Sequence, residues 1–140
     1  MASPIEAQLI LCDHAVADPA GKVHMLGAGW SVTGTPTSPQ AVAILIKVPW
    51  DRANQQLTFA LRLLDSDGHQ VQLAGAQGPV PIANEMTLEV GRPAGVAPGS
   101  PLDASMAVNI QPLPLSPGRY EWRLEFDGDS RSASFQVRQV

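Results

Sequence analysis

Apolar and polar residues alternate with a period of two along much of the chain, and the clearest case is residues 119–126. Tyr120, Trp122, Leu124 and Phe126 fall on one side; Arg119, Glu121, Arg123 and Glu125 fall on the other. Successive strand side chains point to opposite faces, whereas a helix would scatter the same residues around its circumference. The pattern therefore predicts a strand with one dry and one wet face. Asp127-Gly128 follows at once. That dipeptide between alternating runs favours a tight hairpin, because a type I′ turn needs positive φ. The return strand is predicted over 131–140, with Ala133, Phe135 and Val137 inward.

A second hairpin reads the same way. Leu57, Phe59, Leu61 and Leu63 alternate with polar residues, Asp65-Ser66-Asp67-Gly68 turns, and 69–73 returns with Val71 and Leu73 inward. Residues 41–48 are apolar at both phases, which predicts a central strand covered on both faces. Further strands are expected at 5–13 and 23–32, joined through Asp18-Pro19-Ala20-Gly21, and at 85–91 and 105–111. Pro49-Trp50-Asp51-Arg52 suits a single helical turn with Pro at its start. The count is about nine strands, and the expectation is an all-β, two-sheet antiparallel sandwich occupying 1–140 as one domain.

Composition changes this picture little. Thirteen Pro and twelve Gly punctuate the apolar runs, and 44% of residues are hydrophobic against 16% charged, which argues against disorder. The net charge of −4 comes with nine scattered basic residues. Neither a nucleic-acid footprint nor a polybasic membrane patch is expected, because both need clustered cations. Cys12 is the sole cysteine, so no intrachain disulfide can form. Met1 to Glu6 lacks the positive segment of a secretory signal. These features lead to the expectation of a cytoplasmic protein.

Leu11-Cys12-Asp13-His14-Ala15, Gly27-Ala28-Gly29-Trp30 and Val48-Pro49-Trp50 with Ala53-Asn54 form a series. It continues in Val90-Gly91-Arg92-Pro93, Pro98-Gly99, Pro101-Leu102-Asp103, Leu113-Pro114-Leu115 and Pro117-Gly118-Arg119-Tyr120-Glu121-Trp122. The series resembles a family of small uncharacterised bacterial proteins carried as a domain of unknown function, over nearly the whole chain. The resemblance implies a stand-alone cytoplasmic β-sandwich and brings no activity or catalytic residues. The Pro-Gly-Arg-Tyr-Glu-Trp stretch also resembles the penultimate strand of immunoglobulin-like sandwiches, an analogy of fold that says nothing of function.

Few residues suggest chemistry. Cys12 and His14 sit two apart on one strand, so both point the same way. No Gly-rich nucleophile turn surrounds Cys12, which reads first as a small buried apolar residue. His14, His24 and His69 lack close metal-ligand spacing. The Asp65-Ser66-Asp67-Gly68 and Asp127-Gly128-Asp129 stretches read as hairpin turns rather than calcium loops. Gly27 and Gly29 suggest a bulge or a close backbone approach, with Trp30 covering the space.

The candidate binding residues are Trp50, Arg92, Asn54 and Trp30. Trp50 ends a strand inside a polar loop that also holds Asn54. Arg92 is the only cation of the proline-stiffened loop at 91–103 and suits a carboxylate. The expected function is a non-enzymatic interaction module that binds a protein partner or itself, as a homo-oligomer, with no cofactor. The alternatives are a structural subunit of a phage-derived or other intracellular assembly, and a metal-dependent binder or enzyme built on His14, His24 and Asp13.

Overall fold

The computed structural model describes residues 4–139. The reading of the first three residues and the last position of the predicted 131–140 strand lie outside them. The chain is all-β. Among the described residues there are twelve strands in four sheets, not nine in two. No helix there is long and apolar enough to cross a membrane.

The largest sheet has the order β4-β12-β11-β6-β9, from Val32–Thr33, Asp129–Val137, Gly118–Phe126, Gln56–Asp65 and Ala83–Glu89. A three-stranded sheet has the order β1-β5-β10, from Glu6–Cys12, Gln40–Val48 and Leu102–Ile110. One hydrophobic cluster draws on both. Val42, Ile44, Ile46 and Val48 of β5 join Phe59 and Leu61 of β6, Trp122 and Leu124 of β11, and Phe135 of β12. The period-two pattern is what puts these residues on inward faces.

The β11–β12 hairpin forms as its sequence predicts. Phe126 faces Asp129 across a two-residue loop, and both Asp127 (φ 50°) and Gly128 (φ 72°) are left-handed. Tyr120 is the exception on the dry face. It stays half-buried at the start of β11, stacks on Phe135 at 5.8 Å, and donates its hydroxyl to the Ser116 carbonyl at 2.7 Å.

The other departures have local causes. The expected strand at 23–32 breaks after Leu26, because Gly27 (φ 64°) and Gly29 (φ 96°) redirect the backbone. Its far end becomes β4, parallel to β12. The first strand likewise kinks at Asp13 and continues as β2 (His14–Ala17), paired with β3 (Val23–Leu26) in a separate hairpin. The return after Asp65 does not pair along β6 as a full strand. After one bridge, Leu64 to Gln70, the chain enters a small hairpin of β7 (Gln72–Gly75) and β8 (Gly78–Pro81), and β9 takes the place beside β6. Past Val71 the pairing passes to Ile82: Leu63 N–H donates to the Ile82 carbonyl and Ile82 N–H to the Val71 carbonyl.

The β2–β3 hairpin lies over the outer face of the three-stranded sheet. Ala15, Cys12, Ala41 and Ala43 form a second buried cluster, with Val23, Met25 and Ala107 packed against it. Small residues at 41, 43 and 107 let a second layer approach closely. That is why β5 is apolar at both phases.

Candidate functional site

The structure brings Trp50, Arg92 and Asn54 together and leaves Trp30 apart. Pro49 opens a 3-10 turn over Trp50–Arg52. The Arg92 guanidinium sits 4.5 Å from the Trp50 ring centroid, and its Nε and one terminal nitrogen donate to the Trp50 carbonyl at 3.3 and 2.7 Å. Asn54 is left-handed at φ 60°, and its N–H donates to the Val90 carbonyl at 2.7 Å. Arg52 forks onto Asp127 at 2.6 and 3.3 Å. Arg92 therefore holds a backbone carbonyl and an aromatic face rather than a carboxylate, and the three residues fasten one corner of the fold. The loop at 91–103 crosses from β9 to β10, between the two larger sheets, and packs Val96 on the core. A cavity of about 380 Å³ opens beside Trp50, against Pro49, Asp51 and Pro101.

Cys12 is buried beneath the β2–β3 hairpin, with its Sγ directed at the Ala41 carbonyl at 3.7 Å. Burial, then the nearby Asp13 charge, pushes its thiol above the ordinary range, the opposite of what a nucleophilic cysteine requires. His14 lies on the hairpin's outer face. His24 bonds Asp18 at 3.0 Å, and Asp18 also accepts the N–H groups of Ala20 and Lys22. Asp13, His14 and His24 do not converge as a ligand set. Among the described residues, one group of three gathers its ligand atoms within 4.8 Å: Asp65, Asp67 and His69. There Asp65 Oδ1 already accepts the N–H groups of Asp67 and His69 at 3.0 Å, as its own turn requires.

Trp30 packs edge-on against Phe135 at 5.5 Å, and its indole N–H is buried without a partner among the described residues. It lines a cavity of about 280 Å³ together with Asp13, Thr33, Ser38, Pro39 and Arg138. The two glycines flanking Ala28 explain how this corner closes. Gly29 N–H donates to the Leu11 carbonyl and Asp13 N–H to the Leu26 carbonyl, both at 2.8 Å. A Cβ at Gly27 would fall inside the Asp13 carboxylate. The expected close backbone approach is not what these glycines meet: at Gly27 a side chain, that of Asp13, approaches closely, and at Gly29 the space beside the Cα is open.

Two features escaped the sequence reading. The Asn109 side chain accepts the Ala15 N–H at 3.1 Å and donates to the Ala15 carbonyl at 2.9 Å. It thereby acts as one more strand rung tying β2 to β10, and nothing in the alternation marks it. Val16 (51% exposed) and Leu26 (69%) share the outer face of the β2–β3 hairpin with His14 and His24. The signal for these was their phase against the inward residues Ala15 and Met25. Between the hairpin and the sheet lies a cavity of about 750 Å³, lined by Gln8, Leu45, Lys22, Lys47 and Asp103 among others.

Among solved structures, the chain is similar to a family 123 glycoside hydrolase from Clostridium perfringens, described for glycolipid glycan hydrolysis. Identity is 13% and the TM-score 0.46, over 98% of this chain and 28% of that one. No curated protein matches. The model of a family of unknown function, DUF6941, matches residues 7–138, and the chain belongs to that family.

Proposed function

We propose that this chain is a non-enzymatic interaction module, an immunoglobulin-like sandwich that binds a protein partner or itself through the β2–β3 hairpin. The observation that carries the reading is the exposed pair Val16 and Leu26 on the outer face of that hairpin. Large apolar side chains clustered on an otherwise polar surface mark association sites. The hairpin is held as a separate layer by Asn109 and the small cluster around Cys12, so it offers a firm platform. Three of the groups that suggested chemistry have structural roles: Cys12 in packing, His24 on Asp18 beside a turn, and Arg92 in the Trp50 corner. The immunoglobulin-like reading draws support from Tyr120, whose hydroxyl reaches back four residues to Ser116, the arrangement of a tyrosine corner. A cytoplasmic setting fits a lone, buried, unpaired thiol.

The test is self-association of the full chain, followed by sedimentation equilibrium from low micromolar to near-millimolar protein, alongside a Val16→Asp/Leu26→Asp double variant. Mass action predicts a concentration-dependent dimer or higher species that the double variant loses. A chain that stays monomeric throughout, and that retains any co-purifying partner equally well in the double variant, overturns the proposal.

A further inference from the structure

We propose that the cavity between Asp13, Trp30 and Arg138 binds a small zwitterion of the free amino-acid class, with its ammonium on Asp13 and the Trp30 ring and its carboxylate on Arg138. The site adjoins the end of the β2–β3 hairpin, where Asp13 bonds Leu26, but its test reads small-molecule binding rather than self-association, so the two proposals fail separately.

Four observations carry this. One acidic and one basic residue, Asp13 and Arg138, line the cavity. None of the six ion pairs among the described residues uses either of them, and they do not pair with each other. Both residues are solvent-exposed, and a ligand that carries both signs can engage both at once, whereas a simple cation or anion engages only one. The third wall is aromatic, and a carboxylate beside an indole is a favourable seat for an ammonium group. The size also fits. At about 280 Å³ the cavity exceeds the volume of even the larger amino acids, so its size admits the whole class without selecting within it.

The frame around the cavity is set before any ligand arrives. Asp13 is fixed through its own N–H on Leu26, and its carboxylate lies where Gly27 has no side chain. The left-handed φ at Gly27 adds a second reason for glycine there. On the opposite wall, Arg138 N–H donates to the Thr33 carbonyl at 2.9 Å, and Ser38 N–H donates to Thr33 Oγ1 at 3.2 Å. Such preorganisation lowers the cost of ordering the site on binding.

The experiment is isothermal titration of the full chain at low ionic strength with a panel of free amino acids. Each is compared with its N-acetyl and C-amide forms. We expect saturable binding of at least one free amino acid, weakened tenfold or more by either blocking group. Asp13→Asn and Arg138→Gln should each weaken it tenfold or more, with unchanged far-ultraviolet circular dichroism. The proposal is overturned if no free amino acid binds, if blocked forms bind as well as free ones, or if both variants bind like the wild type. The ligand comparison uses the wild-type chain, so it decides the matter even if a variant fails to fold.

Discussion

Replacing Trp122 by alanine removes the largest side chain of the core together with the N–H that donates to the side-chain oxygen of a buried glutamine. Trp122 is 2% exposed on β11, and its Nε1 donates at 3.1 Å to Oε1 of Gln40, itself 2% exposed on β5. The bond joins the two larger sheets. Truncating a buried Trp costs about 3–5 kcal/mol through lost burial and the cavity left behind. Stranding the Gln40 oxygen adds about 1–3 kcal/mol. Relaxation of the cavity offsets part of that sum, so Trp122→Ala should lose about 4–6 kcal/mol, a large share of the roughly 5–15 kcal/mol typical of a whole domain. In urea, a slope of about 2 kcal/mol per molar turns this into a midpoint lower by about 2–3 M at unchanged slope.

A double-mutant cycle separates the hydrogen bond from the packing. Trp122→Phe keeps a ring but leaves Gln40 Oε1 alone, and Gln40→Leu leaves the indole N–H alone. Together they remove both partners, so the pair should be less destabilised than the sum of the singles by about 1 kcal/mol or more. A loss under about 1 kcal/mol for Trp122→Ala, against the 3–5 kcal/mol expected of a buried Trp, would show that Trp122 is not core. Zero coupling would show that the bond across the sheets carries nothing.

Asn109→Ala removes two hydrogen bonds to the Ala15 backbone and should cost about 1–2 kcal/mol. Hydrogen exchange should quicken at the β2–β3 amides while those of β5 keep their protection; equal acceleration in both would refute a hairpin held by Asn109. The Asp18 carboxylate is held below its ordinary range, first by the His24 hydrogen bond and then by the Lys22 N–H. A depressed carboxylate stabilises the fold above its unfolded pKa and loses that contribution as pH falls through the lowered folded value. The wild-type melting temperature should therefore fall more steeply than that of Asp18→Asn between neutral and acid pH, and parallel profiles would refute the linkage.

The period-two phase of side chains was enough to specify an all-β chain, the inward set of β6 and β11, and the two-sided burial of β5. It also specified the Asp127-Gly128 turn, since each of these depends on residues close together in sequence. Among the candidate residues, the nearness of Trp50 and Asn54 was legible for the same reason. That Arg92 caps Trp50 was not, because the contact spans a 42-residue separation. The strand count failed at 23–32 and 69–73. Paired glycines and turn residues permit several backbone paths there, and only the surrounding structure selects one. Pairing partners, the second layer under Asn109 and the meeting of Asp13 with Gly27, Trp30 and Arg138 were likewise decided by tertiary structure. A strand's sequence states which face is dry, but not which strand will lie beside it or what will cover it.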